Sequence, residues 1–141
     1  MDPVNERRSD CPISLSLEVF GDRWTLLVIR DLMFKNRREF RDFLRAEEGI
    51  ATNVLADRLR RLTDAGIVTK TQHPGDARRS IYRLTQKGVE LAPILIEIVL
   101  WAARHERTAA PAEELAQLRD NRSQVLASIR HAHVGEPETP T

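Results

Sequence analysis

The chain is poor in cysteine and in long apolar runs, and each shortage excludes a class of protein. Its single cysteine, Cys11, cannot form an intrachain disulfide or a multi-cysteine metal site, and a lone thiol suits a reducing compartment. The most apolar run, residues 91–103, is too short to span a bilayer and contains Glu97. No apolar run follows the first residues, so a signal peptide is not indicated. We therefore expect a cytoplasmic protein with no membrane partner.

The composition is typical of one globular domain, but its charge is unevenly distributed. The chain has 141 residues, of which 41% are apolar, which is enough for one core. Residues 35–87 contain 13 Lys and Arg against 7 Asp and Glu, whereas the remainder contains 9 against 14. A basic middle on an otherwise acidic chain is typical of a nucleic-acid-binding surface, although surface charge also favours solubility.

The most informative stretch is residues 52–65, where the spacing predicts an amphipathic helix that we call the reading helix. Leu55, Leu59 and Leu62 recur at i, i+4 and i+7, so they share one face, and Gly66 is expected to end the helix. Alone, this pattern is more typical of a solvated surface helix, but the neighbouring elements favour a role in DNA binding. The candidate DNA-binding residues on or beside its polar face are Thr52, Asn53, Ala56, Asp57, Arg60 and Arg61.

The types of these side chains suggest roles in reading base pairs. Asn53 suits adenine and Arg60 suits guanine, since both can form two hydrogen bonds to one base, and Ala56 suits a thymine methyl group. Asp57 would be repelled by phosphates unless it orients Arg60 or Arg61, or accepts a hydrogen bond from cytosine.

Three helices are predicted before the reading helix. Pro12 suits the start of a helix that ends at Gly21, residues 23–34 form a strongly apolar core helix, and residues 37–44 form a short third helix. A short helix, a turn and a second helix make a helix-turn-helix motif. Residues 1–10 are expected to be a disordered arm.

A β-hairpin is predicted directly after the reading helix. Residues 67–72 and 79–84 alternate between apolar and polar and are separated by turn-forming residues. A hairpin in this position is a wing, and Arg78 and Arg79 in its predicted tip, residues 74–79, are predicted to contact a phosphate or the minor groove. These two arginines could instead only keep an edge hairpin soluble. The predicted contacts to the DNA backbone are Thr52, Arg37, Arg38, Arg41 and Lys70.

The region after the wing predicts an assembly surface. A helix is expected from Thr85 to about residue 106, with a kink or break near Leu91 because Pro93 lies inside it. Apolar side chains surround residues 94–103 on more than one face, so we expect burial against the core and against a second subunit. The predicted homodimer interface consists of Ile13, Leu17, Ile94, Ile98 and Trp101.

The last part of the chain predicts one further helix and a disordered end. An additional helix is expected over residues 111–132, followed by a disordered tail over residues 133–141 that is rich in Pro and Glu. His131 and His133 are interpreted as solvent-exposed residues rather than metal ligands. No metal or other cofactor is expected.

Several short motifs occur together in a specific order, and together they resemble a known family. They are Cys11-Pro12, Gly21-Asp22-Arg23-Trp24-Thr25, Phe40-Arg41-Asp42-Phe43, Asn53-Val54-Leu55-Ala56-Asp57-Arg58-Leu59, Gly66-Ile67-Val68 and Tyr82-Arg83-Leu84-Thr85. Over residues 11–106 the chain is similar to the HxlR-type winged helix-turn-helix transcriptional regulators, which are MarR-like. The resemblance implies a mainly α fold with a small β-hairpin and N- and C-terminal dimerisation helices.

The same resemblance implies a function. Members are bacterial, dimeric and bind double-stranded DNA, so the expected protein is a repressor that reads a near-palindromic operator. Several members use the cysteine matching Cys11 as a sensor, which implies an oxidant, a small electrophile or another small-molecule effector. This chain departs from the family at Ala51-Thr52-Asn53, where members often have a sequence like Ser-Pro-Lys, and in its helix beyond residue 110.

Two other functions fit parts of the sequence. A winged helix used only for protein binding would share the fold without needing the basic middle, and its binding would depend weakly on salt. A thiol enzyme based on Cys11 is disfavoured, because the nearest histidine in the sequence, His73, lies on the hairpin and no glycine-rich loop precedes a helix. We therefore do not predict an enzyme.

Overall fold

The computed structural model describes residues 7–135, and the predicted mainly α fold with one β-hairpin is confirmed. Its elements in order are α1 Pro12–Phe20, α2 Thr25–Phe34, α3 Phe40–Leu44, α4 Thr52–Asp64, β1 Val68–His73, β2 Asp76–Leu84, α5 Gln86–Val89, α6 Ala92–His105, α7 Ala112–Asp120 and α8 Arg122–Val134. Most of the predicted arm and tail, residues 1–6 and 136–141, lies outside the described residues.

The core lies between α2 and α4, with the sheet and α6 packed around them. Ile29 and Leu32 of α2 are buried together with the Leu55, Leu59 and Leu62 face of α4. Burial of a leucine or isoleucine side chain contributes about 1.5–3 kcal/mol, so this cluster is the main source of stability for the helix-turn-helix. The reading helix predicted over residues 52–65 is therefore α4, and its leucine face is its buried face.

The wing is a tighter hairpin than the sequence predicted. β1 pairs with β2 in an antiparallel ladder from Val68 opposite Leu84 to His73 opposite Asp76, with an irregularity between Gln72 and His73. The turn is therefore Pro74-Gly75, and the predicted tip over residues 74–79 is wrong because β2 already begins at Asp76.

The wing is fixed to the helix-turn-helix through β2 and α3. The Tyr82 backbone N–H donates to the Arg38 carbonyl oxygen at 2.8 Å. The Tyr82 ring packs edge-on against Phe43 of α3, with ring centroids 6.2 Å apart, and both rings are buried. These contacts fix the position of the hairpin relative to α3, the helix that precedes α4.

Several segments of the chain pack closely together at the junction after α4. Gly66 has a φ of +74°, a conformation that glycine adopts without strain, so the chain reverses there into β1 as predicted. Thr85 accepts a hydrogen bond from the Gly88 N–H and so caps α5. A side-chain carbon at Gly88 would collide with the Ile67 carbonyl oxygen, so only glycine allows α5 to pack this closely on the start of β1.

The predicted break near Leu91 is confirmed. α5 ends at Val89 and α6 begins at Ala92, which places Pro93 in the first turn of a new helix. Proline is tolerated there because the first-turn N–H groups have no intrahelical acceptor. Within residues 7–135 the structure contains no helix with both the length and the apolar character that crossing a membrane requires.

The C-terminal region differs from its prediction in two ways. Instead of a single helix over residues 111–132, α7 and α8 are separated at Asn121, whose φ of −124° and ψ of 35° are not helical. The predicted tail is also partly helical, because α8 continues to Val134. His133 is half-buried rather than exposed, and its Nε2 atom lies 3.1 Å from the Met33 carbonyl oxygen at the end of α2. α8 is therefore packed against the domain.

Candidate nucleic-acid interface

The face of α4 opposite its leucines is open to solvent. Thr52, Asn53 and Ala56 are exposed in its first two turns, followed by Arg60 and Arg61 in the next. The face therefore consists of short polar and small side chains near the N-terminus and two long cations further along. This is the arrangement with which a helix can contact base edges in a major groove.

Asp57 organises the two exposed arginines of α4. Its carboxylate accepts hydrogen bonds or ion pairs from Arg60 at 2.6 Å and from Arg61 at 3.0 Å, and it also contacts Arg58. The Asp57 side chain is 29% exposed, whereas those of Arg60 and Arg61 are 69% and 64% exposed. Asp57 therefore lies beneath the cations, in agreement with the orienting role considered from the sequence.

Arg58 connects α4 to the turn before α2. Its Nε atom donates to the Asp22 carboxylate at 2.9 Å, and Asp22 also accepts from the backbone N–H groups of Trp24 and Thr25 at 2.8 and 3.0 Å. Burial raises the pKa of Asp22, but the hydrogen bonds from Thr25, Trp24 and Arg58 outweigh it and hold that pKa well below its usual value. The carboxylate thus fixes the start of α2 and the middle of α4 together.

Arg37, predicted to contact the DNA backbone, lies in an internal ion network. Its Nη1 atom donates to Asp31 at 2.9 Å, and the Asp31 side chain is only 3% exposed. Arg30 bridges the same carboxylate to Glu48, and its hydrogen bonds lower the pKa of Glu48 to about 2. The Arg37 backbone N–H also donates to the Asp31 carbonyl oxygen, so residues 37–39 precede α3 rather than belonging to it.

Arg79, predicted to contact DNA from the wing, is paired with Glu39, the residue directly before α3. Its Nε and Nη2 atoms donate to the two carboxylate oxygens of Glu39 at 2.6 and 2.7 Å. These hydrogen bonds lower the pKa of Glu39, and the carboxylate raises the pKa of the Arg79 guanidinium. Two parallel hydrogen bonds define an orientation as well as a distance, so this pair sets the angle of the wing.

The remaining predicted backbone-contacting cations are less constrained. The Arg78 side chain is 91% exposed at the wing and contacts only Asp76 of its own strand among the described residues. Arg41 is 61% exposed beside Glu39, Lys70 is exposed on β1, and Arg38 is half-buried before α3. These four cations therefore lie on α3, on the segment before it and on the wing, and three of the four are exposed.

The predicted interface residues on α1 and α6 are all exposed in the single chain. Ile13 and Leu17 of α1 are 71% and 57% exposed, and no residue of α1 is buried. On α6, Ile94, Ile98 and Trp101 are spaced at i, i+4 and i+7 and are 37%, 44% and 60% exposed. Apolar side chains that share one helix face and meet water are typical of a protein interface.

Cys11 lies at the N-terminal end of α1 and is exposed. Backbone N–H groups of Ser14 and then Ile13 lower the pKa of its thiol, because they stabilise the thiolate. Within residues 7–135, no group of three or more His, Cys, Asp or Glu side chains is placed to bind a metal ion.

Three residues that position this surface were not predicted as site residues. Asp22, Glu39 and Arg58 act through contacts to residues far away in the sequence. Asp22 and Arg58 are 36 residues apart, and Glu39 and Arg79 are 40 residues apart. Asp22 and Arg58 do lie within the motifs noted above, so their presence there was the available signal.

Comparison with known proteins identifies the family. A family model described as HxlR-like helix-turn-helix matches residues 19–110. The uncharacterized HTH-type transcriptional regulator sll1512 of Synechocystis is 37% identical over 67% of this chain and 70% of its own length. The similarly named Mb3122 of Mycobacterium bovis is 35% identical over 63% of this chain, which spans 55% of that relative.

Solved structures agree with this assignment. The reduced form of the transcriptional regulator YodB from B. subtilis is 30% identical, with a TM-score of 0.56 over 69% of this chain and 95% of that chain. Its quinone-bound form is 28% identical, with a TM-score of 0.54 over 65% and 96%. The exposed polar face of α4, the wing beside it and these matches lead to one conclusion. The chain belongs to the HxlR-like helix-turn-helix family and is a winged-helix transcriptional regulator that binds DNA.

Proposed function

We propose that the protein binds a near-palindromic operator as a homodimer, with α4 of each subunit in the major groove. The observation that carries this proposal is the exposed face of α4, which presents Asn53 and Arg60 over a buried leucine face. Because α4 is fixed through its other side, the polar face can enter a groove without disturbing the core. Repression of a gene beside the operator remains our prediction for the effect on transcription.

Base contacts are assigned to the first three turns of α4. Asn53 pairs with adenine and Arg60 with guanine through two hydrogen bonds each, while Ala56 packs against a thymine methyl group. Asp57 keeps Arg60 and Arg61 extended from the helix before DNA arrives, so less side-chain entropy is lost on binding. In this arrangement Asp57 is a positioning residue.

Backbone contacts are assigned to the less constrained cations and to Thr52. Arg41, Lys70 and Arg78 are exposed on α3 and the wing, and Arg38 is half-buried before α3, so these side chains are less constrained than Arg37 and Arg79 and can turn toward phosphates. Arg37 and Arg79 are paired with carboxylates, so we assign them to positioning the turn before α3 and the wing.

The homodimer rests on the two apolar faces of α1 and α6. A face containing Trp101 at 60% exposure is poorly suited to water, and a second copy of the same face is its simplest partner. Two-fold symmetry would place the two α4 helices about 34 Å apart, one turn of DNA. A near-palindromic operator follows from this symmetry.

Cys11 is proposed to modulate DNA binding. It is exposed, its thiol pKa is lowered, and it lies at the end of α1, which belongs to the proposed dimer interface. YodB, whose quinone-bound form is a related structure, supports a reactive small molecule as the signal. Cys11→Ser should keep DNA binding after mild peroxide or a quinone, whereas the unaltered protein loses it. Failure of mass spectrometry to detect modified Cys11 would remove this role.

The central experiment is selection of an operator from a random DNA pool, followed by titration at several salt concentrations. Affinity should fall steeply with salt, and the selected sequence should be near-palindromic. Arg78→Ala should reduce the slope of the logarithm of affinity against the logarithm of salt concentration by about one, because one phosphate contact is lost. A slope near zero, with no preferred sequence, would support a protein-binding module instead.

A further inference from the structure

A cleft of about 710 Å³ lies between α8 and the segment that joins α5 to α6. Small-molecule sites typically occupy about 300–1,000 Å³, so the cleft has the size of a ligand site. One of its walls is α8, which lies beyond residue 110, where the family match ends. One wall of the cleft is therefore formed by a helix outside the family match.

One wall of the cleft is a face of α8, and the other crosses the turn between α5 and α6. On α8 the lining residues recur at helical spacing and lie on one side: Ser123, Leu126, Ala127, Arg130 and His131. The opposite wall consists of Gln86 and Val89 of α5, Glu90 of the turn and Pro93 of α6. Both sets of residues line the same space.

The chemistry of the walls is asymmetric. Val89, Pro93 and Leu126 form an apolar floor, whereas Arg130 and His131 supply a positive charge and an N–H donor at the α8 side. Within residues 7–135 neither Arg130 nor His131 has an ion-pair partner or a side-chain hydrogen bond. Glu90 on the opposite wall would repel a second negative charge. We propose that the cleft is an effector site for an organic monoanion with an apolar body, whose carboxylate binds Arg130 and His131.

The elements that form the walls of the cleft are hydrogen-bonded to the helix-turn-helix through neighbouring residues that do not line the cleft themselves. Lys87 of α5 donates from Nζ to the Ala65 carbonyl oxygen at the end of α4, at 2.7 Å. Thr85 donates to the Gly66 carbonyl oxygen at 2.6 Å. On the other wall, the His133 ring contacts the Met33 carbonyl oxygen at the end of α2. A ligand that changes the separation of the two walls therefore acts on the C-terminal end of α4. This regulatory effect rests on the proposed DNA-binding function, whereas ligand binding itself does not.

The site is tested by isothermal titration of the full chain without DNA, using 2-naphthoate and its neutral analogue 2-naphthamide. We expect one 2-naphthoate per chain, bound about tenfold or more tightly than the amide because only the acid forms charge-assisted hydrogen bonds. Octanoate, titrated in parallel, distinguishes a preference for an acyl chain from a preference for an aromatic ring. Equal affinity for the acid and the amide would overturn the proposal.

Variants of exposed residues separate the site from general effects on folding. Arg130→Gln combined with His131→Gln should remove the preference for the acid, and Ala127→Trp should fill the cleft and remove binding of both naphthalene probes. Arg119→Gln on α7 is the matched control, because it removes an exposed arginine that does not line the cleft. Unchanged binding in Ala127→Trp would place the ligand elsewhere and overturn the proposal.

A chain that ends at Gly135 tests whether the chain's own acidic end, which includes Glu136 and Glu138, competes for the cleft. Absence of binding by the full chain at about 1 mM 2-naphthoate or octanoate overturns the proposal, including the case in which only the shortened chain binds.

The regulatory effect is tested with the selected operator. 2-Naphthoate should change operator affinity by about fivefold or more, and Lys87→Met should keep 2-naphthoate binding while reducing that change. Binding without any change in operator affinity would overturn the regulatory role. Absence of specific DNA binding under every condition would contradict the proposed function. The titration of the full chain without DNA would still decide whether the cleft binds the ligand.

Discussion

The two proposed functional surfaces of the chain differ in how many of the contacts they need are supplied by a single subunit. Around α4, the cations that define the geometry are paired with carboxylates, as in Arg58 with Asp22 and Arg79 with Glu39. On α1 and α6, apolar side chains such as Ile13 and Trp101 have no cover in the single chain. The proposed DNA-facing side is preorganised by the subunit itself, whereas the proposed interface would be covered only by a partner.

Substitutions on the two surfaces should therefore have different effects. On the DNA-facing side, a substitution removes one contact or shifts one element, and the fold persists through the leucine face of α4. On the α1–α6 side, a substitution is expected to act on the proposed dimer, and its effect on operator affinity should be larger because each half-site would lose a cooperating partner. The predictions below test this division in order of decreasing expected effect.

The largest effect is expected from Trp101→Glu. A charge in the centre of the proposed α1–α6 interface would be buried without a partner on association, which is strongly unfavourable. The variant should sediment as a monomer of the 16.1 kDa chain and bind the operator at least about 100-fold more weakly than the unaltered protein. Analytical ultracentrifugation and a gel-shift titration measure the two changes.

Gln117→Glu is the control for this substitution. It introduces the same charge on α7 at an exposed position outside the apolar face. It should leave both the sedimentation and the affinity unchanged. A Trp101→Glu protein that remains dimeric, or an unaltered monomer that binds one half-site tightly, contradicts the assignment of the interface.

Arg60→Ala should have the next largest effect. Loss of a pair of hydrogen bonds to guanine should cost about 1–3 kcal/mol and relax the preference at one operator position. Competition with operators carrying single base substitutions measures this directly. Arg119→Ala, on α7, is the matched control, and a uniform loss over all competitor sequences would show that Arg60 contacts phosphate instead.

Asp22→Asn tests the internal connection between α2 and α4. The pKa of Asp22 is lowered in the folded state, so its carboxylate stabilises the fold above its unfolded pKa, and this stabilisation is lost as pH falls through the folded pKa. At pH 7 the variant should lose about 1 kcal/mol of stability, because the amide keeps an acceptor for the backbone N–H groups but no longer forms a charge-assisted hydrogen bond with Arg58. The difference should shrink as pH falls below about 4.

Thermal unfolding over a pH series measures this effect. Asp120→Asn removes an exposed carboxylate from α7 and serves as the control. A deficit for Asp22→Asn that stays constant down to acidic pH would mean that the charge of Asp22 does not contribute.

The smallest effect is expected from Glu39→Gln. The informative result is whether operator affinity rises or falls. Removing a negative charge near DNA ordinarily strengthens binding at low salt, because phosphates are no longer repelled. Since Glu39 holds Arg79 through two hydrogen bonds, we expect the opposite for the specific operator, a loss of affinity of about threefold. Filter binding to the operator and to random DNA separates specific from non-specific affinity.

Glu47→Gln is the matched control for Glu39→Gln. Glu47 is exposed in the turn before α4 and has no ion pair among residues 7–135. It should show the ordinary small gain in affinity. A gain of the same size for Glu39→Gln would show that its pair with Arg79 does not position the wing.

Local patterns were sufficient to predict the main elements. The leucine spacing placed α4, Gly66 marked its end, and Pro93 predicted the break between α5 and α6. Each of these features depends on interactions between residues that are close in the sequence, so it can be recognised from the sequence alone. The order of several such motifs also identified the family.

Features that depend on distant contacts were not predicted. Arg79 was interpreted as a DNA contact because nothing near it in the sequence shows that Glu39, 40 residues away, would pair with it. The break at Asn121 was missed because neither glycine nor proline marks it. The position of His133 against Met33 depends on how α8 docks, which helical periodicity does not determine.

The close packing of Gly88 on Ile67 makes this position unusually intolerant of genetic change. Every single-nucleotide change that replaces a glycine codon with another amino acid introduces a side-chain carbon, and any such carbon would meet the Ile67 carbonyl oxygen. A library of random point mutants, selected only for function in cells, should therefore lose nearly all variants at codon 88. Gly75, in the exposed turn of the wing, has a flexible His73 ring as its only close neighbour and should tolerate many replacements. Sequencing such a library before and after selection would show that the junction after α4 requires glycine at position 88, and the experiment needs no knowledge of the operator.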